Sequence, residues 1–313
     1  MPPSHAGKPT ARDVPGTAEA DRTGDYPVGV TDRPAGEAHL QPLLDLLSAG
    51  SDQPLALPSW LPPVLATLID GCGSGAGAEP EWLGRIGRRL RDSGGAVPFA
   101  VVHDWQAHTV LPMLLAVLEA SSAASASEGT GSSEGVGSSE GVGSSEAFEA
   151  VAALQRLHGQ ATAGEPAEAP VWEAALRPVL HQLYRLAYDY AGSYATAHAS
   201  ASTYATANNF SPAGAVSFAE SYAAYSAEAN RQSFAESNAP ATAAALAAAY
   251  AQHGSAAAEA AYAEAYPFAL VRACARASTG ARAAPDSDEQ GGRGQAAYLR
   301  LADGLADSLA RVG

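Results

Sequence analysis

The stretch VWEAALRPVLHQLYRLAYDYAGSYA, Val171 to Ala195, decides the fold class. Leu176, Leu180, Leu183, Ala187, Tyr190 and Tyr194 recur at steps of three and four, so on a helix they form one apolar stripe with Tyr184 and Tyr188 beside it. A long helix, aromatic on one side, is predicted from near Val171. Beyond it, 32 of the 80 residues from Ala191 to Leu270 are Ala, the residue with the best helix propensity, so this segment is predicted to be helical despite its small side chains. Tyr or Phe punctuates it in a loose motif: Tyr194-Ala-Thr-Ala-His, Tyr204-Ala-Thr-Ala-Asn, Phe218-Ala-Glu-Ser-Tyr, Phe234-Ala-Glu-Ser-Asn and Tyr262-Ala-Glu-Ala-Tyr. The motif has no fixed period, which argues against a solenoid of constant repeat length. Pro212, Pro240 and Pro267 are expected to divide the segment into shorter helices, with Gly254 a weaker break.

Toward the amino terminus, Gly159 to Pro170 reads as a loop, and Phe148, Val151, Leu154 and Leu157 restore helical spacing before it. Gly131-Ser-Ser-Glu-Gly-Val returns at Gly137 and begins again at Gly143, so residues 121–146 read as a low-complexity linker. Phe99 to Leu118 is a strongly apolar helix kinked at Pro112 and the expected central element. Before it, Trp82, Leu83, Ile86 and Leu90 share one face of a helix whose other face carries Arg85, Arg88, Arg89 and Arg91. Trp60, Val64, Leu65 and Leu68 predict a short helix, with Pro62 and Pro63 tolerated in its first turn, and Leu40, Leu43, Leu44 and Leu47 predict another. Residues 1–36 have almost no large apolar side chain to offset chain entropy and read as a disordered tail.

These readings give an all-α protein, an irregular bundle of about eight helices. Its parts are the tail, a helical part at 37–120, the linker at 121–146, an Ala/Tyr-rich helical part at 147–278, a loose stretch at 279–294 and a terminal amphipathic helix at 295–313. Tyr298, Leu301, Leu305 and Leu309 line that last helix.

The formal net charge of −15 repels a phosphate backbone, which argues against nucleic acid as a partner. Two cysteines, Cys72 and Cys274, make neither a disulfide framework nor a zinc site. No signal-like apolar run follows Met1, and the longest apolar window contains His103, Asp104, Gln106 and His108. A cytoplasmic protein without a membrane span is expected.

Gly131-Ser-Ser-Glu-Gly matches the G-x-S-x-G pattern of serine hydrolases, but a nucleophile elbow needs a strand before it, and here a repeat surrounds it. Gly73-Ser-Gly-Ala-Gly-Ala approximates a dinucleotide-binding turn and likewise lacks the strand. Asp104 and His108, four apart, project from one helix face as two metal ligands do, and His181 with Asp189 could complete a metal or haem site between the 99–118 and 171–195 helices. Tyr184, Tyr188 and Tyr222 are the candidates for lining a ligand pocket, and Phe218, Tyr222 and Tyr225 share a face at i, i+4, i+7. The arginine face reads as a solvated surface that neutralises the chain's own carboxylates. Two functions follow: a helical interaction or scaffold protein that self-associates or docks another protein, or a helical metal- or haem-dependent enzyme or ligand-binding protein.

Overall fold

A computed structural model describes residues 55–73, 80–128, 140–252, 255–279 and 288–313; the side chains of 124–128, 140–144, 255 and 288–291 are not described. All regular structure among these residues is helical, as the spacing predicted. Helix α1 is Leu61–Cys72 and α2 is Glu81–Asp92. The third rod, α3, comprises Ala100–Trp105, a π-helical turn at Gln106–Val110, and Leu111–Glu128. Then come α4 (Glu140–Thr162), α5 (Ala169–Ala187), α6 (Tyr190–Ala207), α7 (Pro212–Tyr250), α8 (Ser255–Glu264), α9 (Pro267–Ser278) and α10 (Asp288–Val312). These are ten helical rods against about eight expected. The expected tail, the helix at Leu40 to Leu47, Gly254 and most of the glycine linkers lie outside the described residues.

The apolar faces read from spacing in α2 and α10 are buried. Trp82, Leu83, Ile86 and Leu90 of α2 pack inward, as do Leu301, Leu305 and Leu309 of α10. α10 runs beside α1, α2, α3 and α9, and it approaches closely because two glycines admit a neighbour. A Cβ on Gly71 would overlap the Tyr298 ring, and one on Gly304 would overlap Thr109. Arg85 of α2 reaches Asp303 and Asp307 of α10 at 2.5 and 2.6 Å, and Arg89 donates to the Leu309 carbonyl, so two residues of the arginine face are engaged by α10.

Three local expectations are corrected. The linker is shorter than 121–146, since α3 continues to Glu128 and α4 starts at Glu140, a reach that high Ala content favours in the first case. The long helix from Val171 stops at Ala187: Tyr188 is extended, and the Asp189 carboxylate accepts a hydrogen bond from the Gly192 amide at 3.0 Å, capping a new helix. Pro240 does not divide α7. An interior proline costs about 3 kcal/mol, and here buried Ala235, Ala239, Ala243, Leu246 and Ala247 on both sides of it offset that cost. Around Pro112 the rod adopts a π-turn. Pro112 has no N–H to give the Ala107 carbonyl, and Gln155 Nε2 of α4 donates to that carbonyl instead, at 2.8 Å.

α7 returns antiparallel along α6 and then α5. Its partners descend in number as it ascends: Phe218 meets Tyr204, Phe234 meets Tyr188, and Thr242 meets Tyr184. The second half of α7 joins the common core, from Ala235 to Tyr250. The first half does not: Ala219, Ala223 and Ala227 are buried outside that core, on the helix that runs along α6, whose own buried residues are Ala201 and Ala205. α6 with the first half of α7 is therefore an arm with an alanine seam, mounted on a helical body.

Candidate functional site

The metal ligands expected from sequence do not gather. Asp104, almost fully buried on α3, receives Arg311 of α10 at 2.6 Å and His108 at 3.1 Å. Burial alone would raise its carboxyl, but hydrogen bonds from Arg311 and Ser308 and the charges of Arg311 and His108 outweigh that effect and hold it below the usual range. The carboxylate is thus committed to an arginine. His181 sits on α5 beside Arg185 and Glu236, where burial first and the Arg185 charge second lower its pKa. Asp189 is the cap described above. Among the described residues no group of three or more His, Cys, Asp or Glu is arranged to hold a metal ion.

Nor do the three tyrosines line one pocket. The Tyr184 hydroxyl is hydrogen-bonded to Thr242 Oγ1 at 2.9 Å, and Tyr184 and Tyr188 both pack on the Phe234 ring. Tyr222 lies on the arm, stacked on Phe218.

Where α3 approaches α5, the space is filled by rings. His103 Nδ1 lies 3.0 Å from Nδ1 of His158 on α4, both fully inside the body. Trp172 of α5 stacks on His103, and Tyr250 and Phe99 close the cage around it. Tyr262 of α8 continues the network through hydrogen bonds with Tyr250 and Gln106. An Nδ1 to Nδ1 bond requires one ring to donate and the other to accept; with both rings kept neutral by burial, they hold opposite tautomers. Burial pushes His103 down to about 4, and burial with the neighbouring His103 pushes His158 well below its ordinary value. Cys274, buried in the same body, is pushed up to about 12 and is not a nucleophile.

His158 carries no sequence motif. It was legible only as a place in a stripe, since Ala147, Val151, Leu154 and His158 are the buried residues of α4 at steps of four, three and four. Nothing in local spacing could pair it with His103, 55 residues away.

The arm differs from the body in what it leaves outside. Tyr204, Phe210, Val216, Tyr222 and Tyr225 are exposed, Tyr225 at 76%. Tyr204, Phe210 and Phe218 form a triangle of ring contacts at 5.4 to 6.4 Å around the α6–α7 turn, and Tyr222 extends it at 6.0 Å. Asn209, in the left-handed region at φ 56°, makes that turn possible. From Tyr190 to Ala219 there is no Asp, Glu, Lys or Arg, within a chain of net charge −15.

The chain matches no family model, no curated protein and no solved structure. What it does must be argued from these surfaces. Isolated exposed apolar residues are ordinary, but five large ones fall within 22 residues here, three of them (Tyr204, Phe210 and Tyr222) linked through Phe218 by ring contacts, and Glu220 is the one charged residue in that span.

Proposed function

We propose that this chain is a helical interaction protein of the cytoplasm that docks a protein through the aromatic side of its α6–α7 arm, with the ring-filled body as a rigid mount. The uncharged aromatic cluster of exposed Tyr204, Phe210, Tyr222 and Tyr225 around half-buried Phe218 carries this reading. Tyrosine suits such a surface, because its ring gives apolar area while its hydroxyl stays hydrated before docking. The acidic surface disfavours nucleic acid. No described helix is long and apolar enough to cross a membrane. Cys72 and Cys274 are both buried and unbridged, as suits a reducing compartment.

A photoreactive amino acid placed at Tyr225 tests the reading in cells that make the protein, with the same probe at exposed Glu119 of α3 as the reference. Protein adducts formed from position 225 and not from 119 support docking through the arm. Equal adducts from both positions, or none from 225, overturn it.

A further inference from the structure

The arm's chemistry also indicates its partner. Resting on the reading above, we infer that the arm docks a second copy of this chain, aromatic side to aromatic side, completing a four-helix arrangement across a two-fold axis.

Charge comes first. Two chains of net charge −15 repel each other over most of their surfaces, and a strongly basic partner would be drawn to those surfaces rather than to an arm without charge. Two arms, in contrast, can meet without opposing any carboxylates. Tyr190 to Ala219 carries none, and Glu228 is already paired with Arg185 and Arg231. Glu220 lies two residues from both Phe218 and Tyr222, which places it on a different side of the helix.

The face is also complementary to itself. Its polar groups are Tyr, Ser and Thr hydroxyls with the Asn208 and Asn209 amides and the His198 ring, each able both to donate and to accept, so a patch of them satisfies an identical patch. A two-fold contact requires this, since it brings the same surface to itself.

The size fits as well. The 18 residues of α6 make an arm about 27 Å long at 1.5 Å per residue, and two helices side by side are about 20 Å wide. One side therefore offers about 500 Å² per chain, or about 1,000 Å² for the pair, near the lower bound for a specific interface. Inside one chain the arm buries only alanines between its helices. A second arm would cover the rings that flank this seam, as helices do in a four-helix bundle.

Sedimentation velocity of the full chain over a concentration series tests this. The expected result is a monomer and dimer in exchange, with added salt strengthening the dimer because it screens like charges. Tyr222→Glu combined with Tyr225→Glu should weaken dimerisation by about tenfold or more, with helical circular dichroism unchanged. Tyr225→Ser, at a site too exposed to unfold the chain, should weaken it in the same direction. A dimer indifferent to both variants overturns the inference. So does a monomer at every concentration, and here the probe at Tyr225 separates the cases: adducts to other proteins leave the docking reading standing, whereas no adducts overturn both.

Discussion

Acidification from about pH 7 to about pH 5 loads protons on to histidines of the unfolded chain that the folded body refuses. His103 titrates at about 4 in the fold against 6.5 for an ordinary histidine, with burial as the cause. A depressed histidine contributes stability that is fully present above 6.5 and is lost as pH falls below it toward the folded value. At about pH 5 the unfolded imidazole is nearly all charged and His103 nearly all neutral, so the loss is about 1.4 kcal/mol for each pH unit below 6.5, or about 2 kcal/mol. His158, lowered in the same direction by burial and by the neighbouring His103, adds to the loss. Carboxylates such as Asp104, held below the usual range, contribute only at lower pH and do not blur the window. At about 2 to 4 °C per kcal/mol for a fold of this size, the thermal midpoint should fall by about 4 to 8 °C from His103 alone and further once His158 is counted. Differential scanning calorimetry on the natural chain and on His103→Leu/His158→Leu provides the comparison. The paired variant should lose most of the drop, leaving the part due to His181. An equal drop in both chains would refute the assignment of the acid lability to the buried pair.

Other perturbations read separate joints of the bundle. Arg311→Met leaves the Asp104 carboxylate buried with only Ser308 and His108 as partners; because Arg311 is itself 44% exposed, the cost should be about 1 to 3 kcal/mol in urea unfolding, below that of a fully buried pair. Gly304→Ala should cost about 1 to 3 kcal/mol because its methyl would overlap Thr109, whereas Gly84→Ala, whose nearest neighbour is the Arg88 side chain at 3.6 Å, should stabilise by about 0.5 to 1 kcal/mol through helix propensity alone. Gln155→Leu should cost about 1 to 3 kcal/mol by orphaning the Ala107 carbonyl. Adding Pro112→Ala, which restores a backbone donor, should recover part of that loss in the same unfolding experiment. Ala223→Leu, in the fully buried seam, should loosen the arm and raise hydrogen exchange in α6 with little effect on the body, whereas Ala224→Leu on its exposed side should leave exchange unchanged.

Much of the architecture was legible because burial follows spacing. The stripes of α2 and α10 were readable residue by residue, and Arg85 met the chain's own carboxylates as its helix face suggested. Breaks were harder, because they depend on competition. Asp189 looked like a possible ligand on a continuous helix, yet a carboxylate that can cap backbone amides ends one helix and starts another. Pro240 looked like a break, yet packing on both sides of it carries the helix through. The metal reading failed at long range: Asp104 and His108 share a face as expected, but the third partner is Arg311, 207 residues away, and no local pattern announces it. The aromatic motif from Ala191 onward also hid its period. Along α7 the residues beside the seam are Phe218, Tyr222, Ser226, Asn230, Phe234, Asn238, Thr242, Leu246 and Tyr250, a step of four whose polar members mask it.

That step of four explains why the arm exists. A helix has about 3.6 residues per turn, so a seam of every fourth residue advances by about 40° at each step and by about 280° between Ala219 and Ala247. Such a seam cannot stay on one neighbour, and α7 must change partners along its length. Its second half, with Leu246 and Tyr250 beside the alanines, turns into the body against α5 and α8. Its first half offers methyl groups to α6 across a contact between small residues and reaches α5 through the Glu228–Arg185 ion pair. An interface that narrow covers the seam and not its flank, so Phe218, Tyr222 and Tyr225 are left beside it with no other described helix packed over them. The exposed aromatic face is thus a consequence of the seam's period, and covering it requires a surface from outside the described chain.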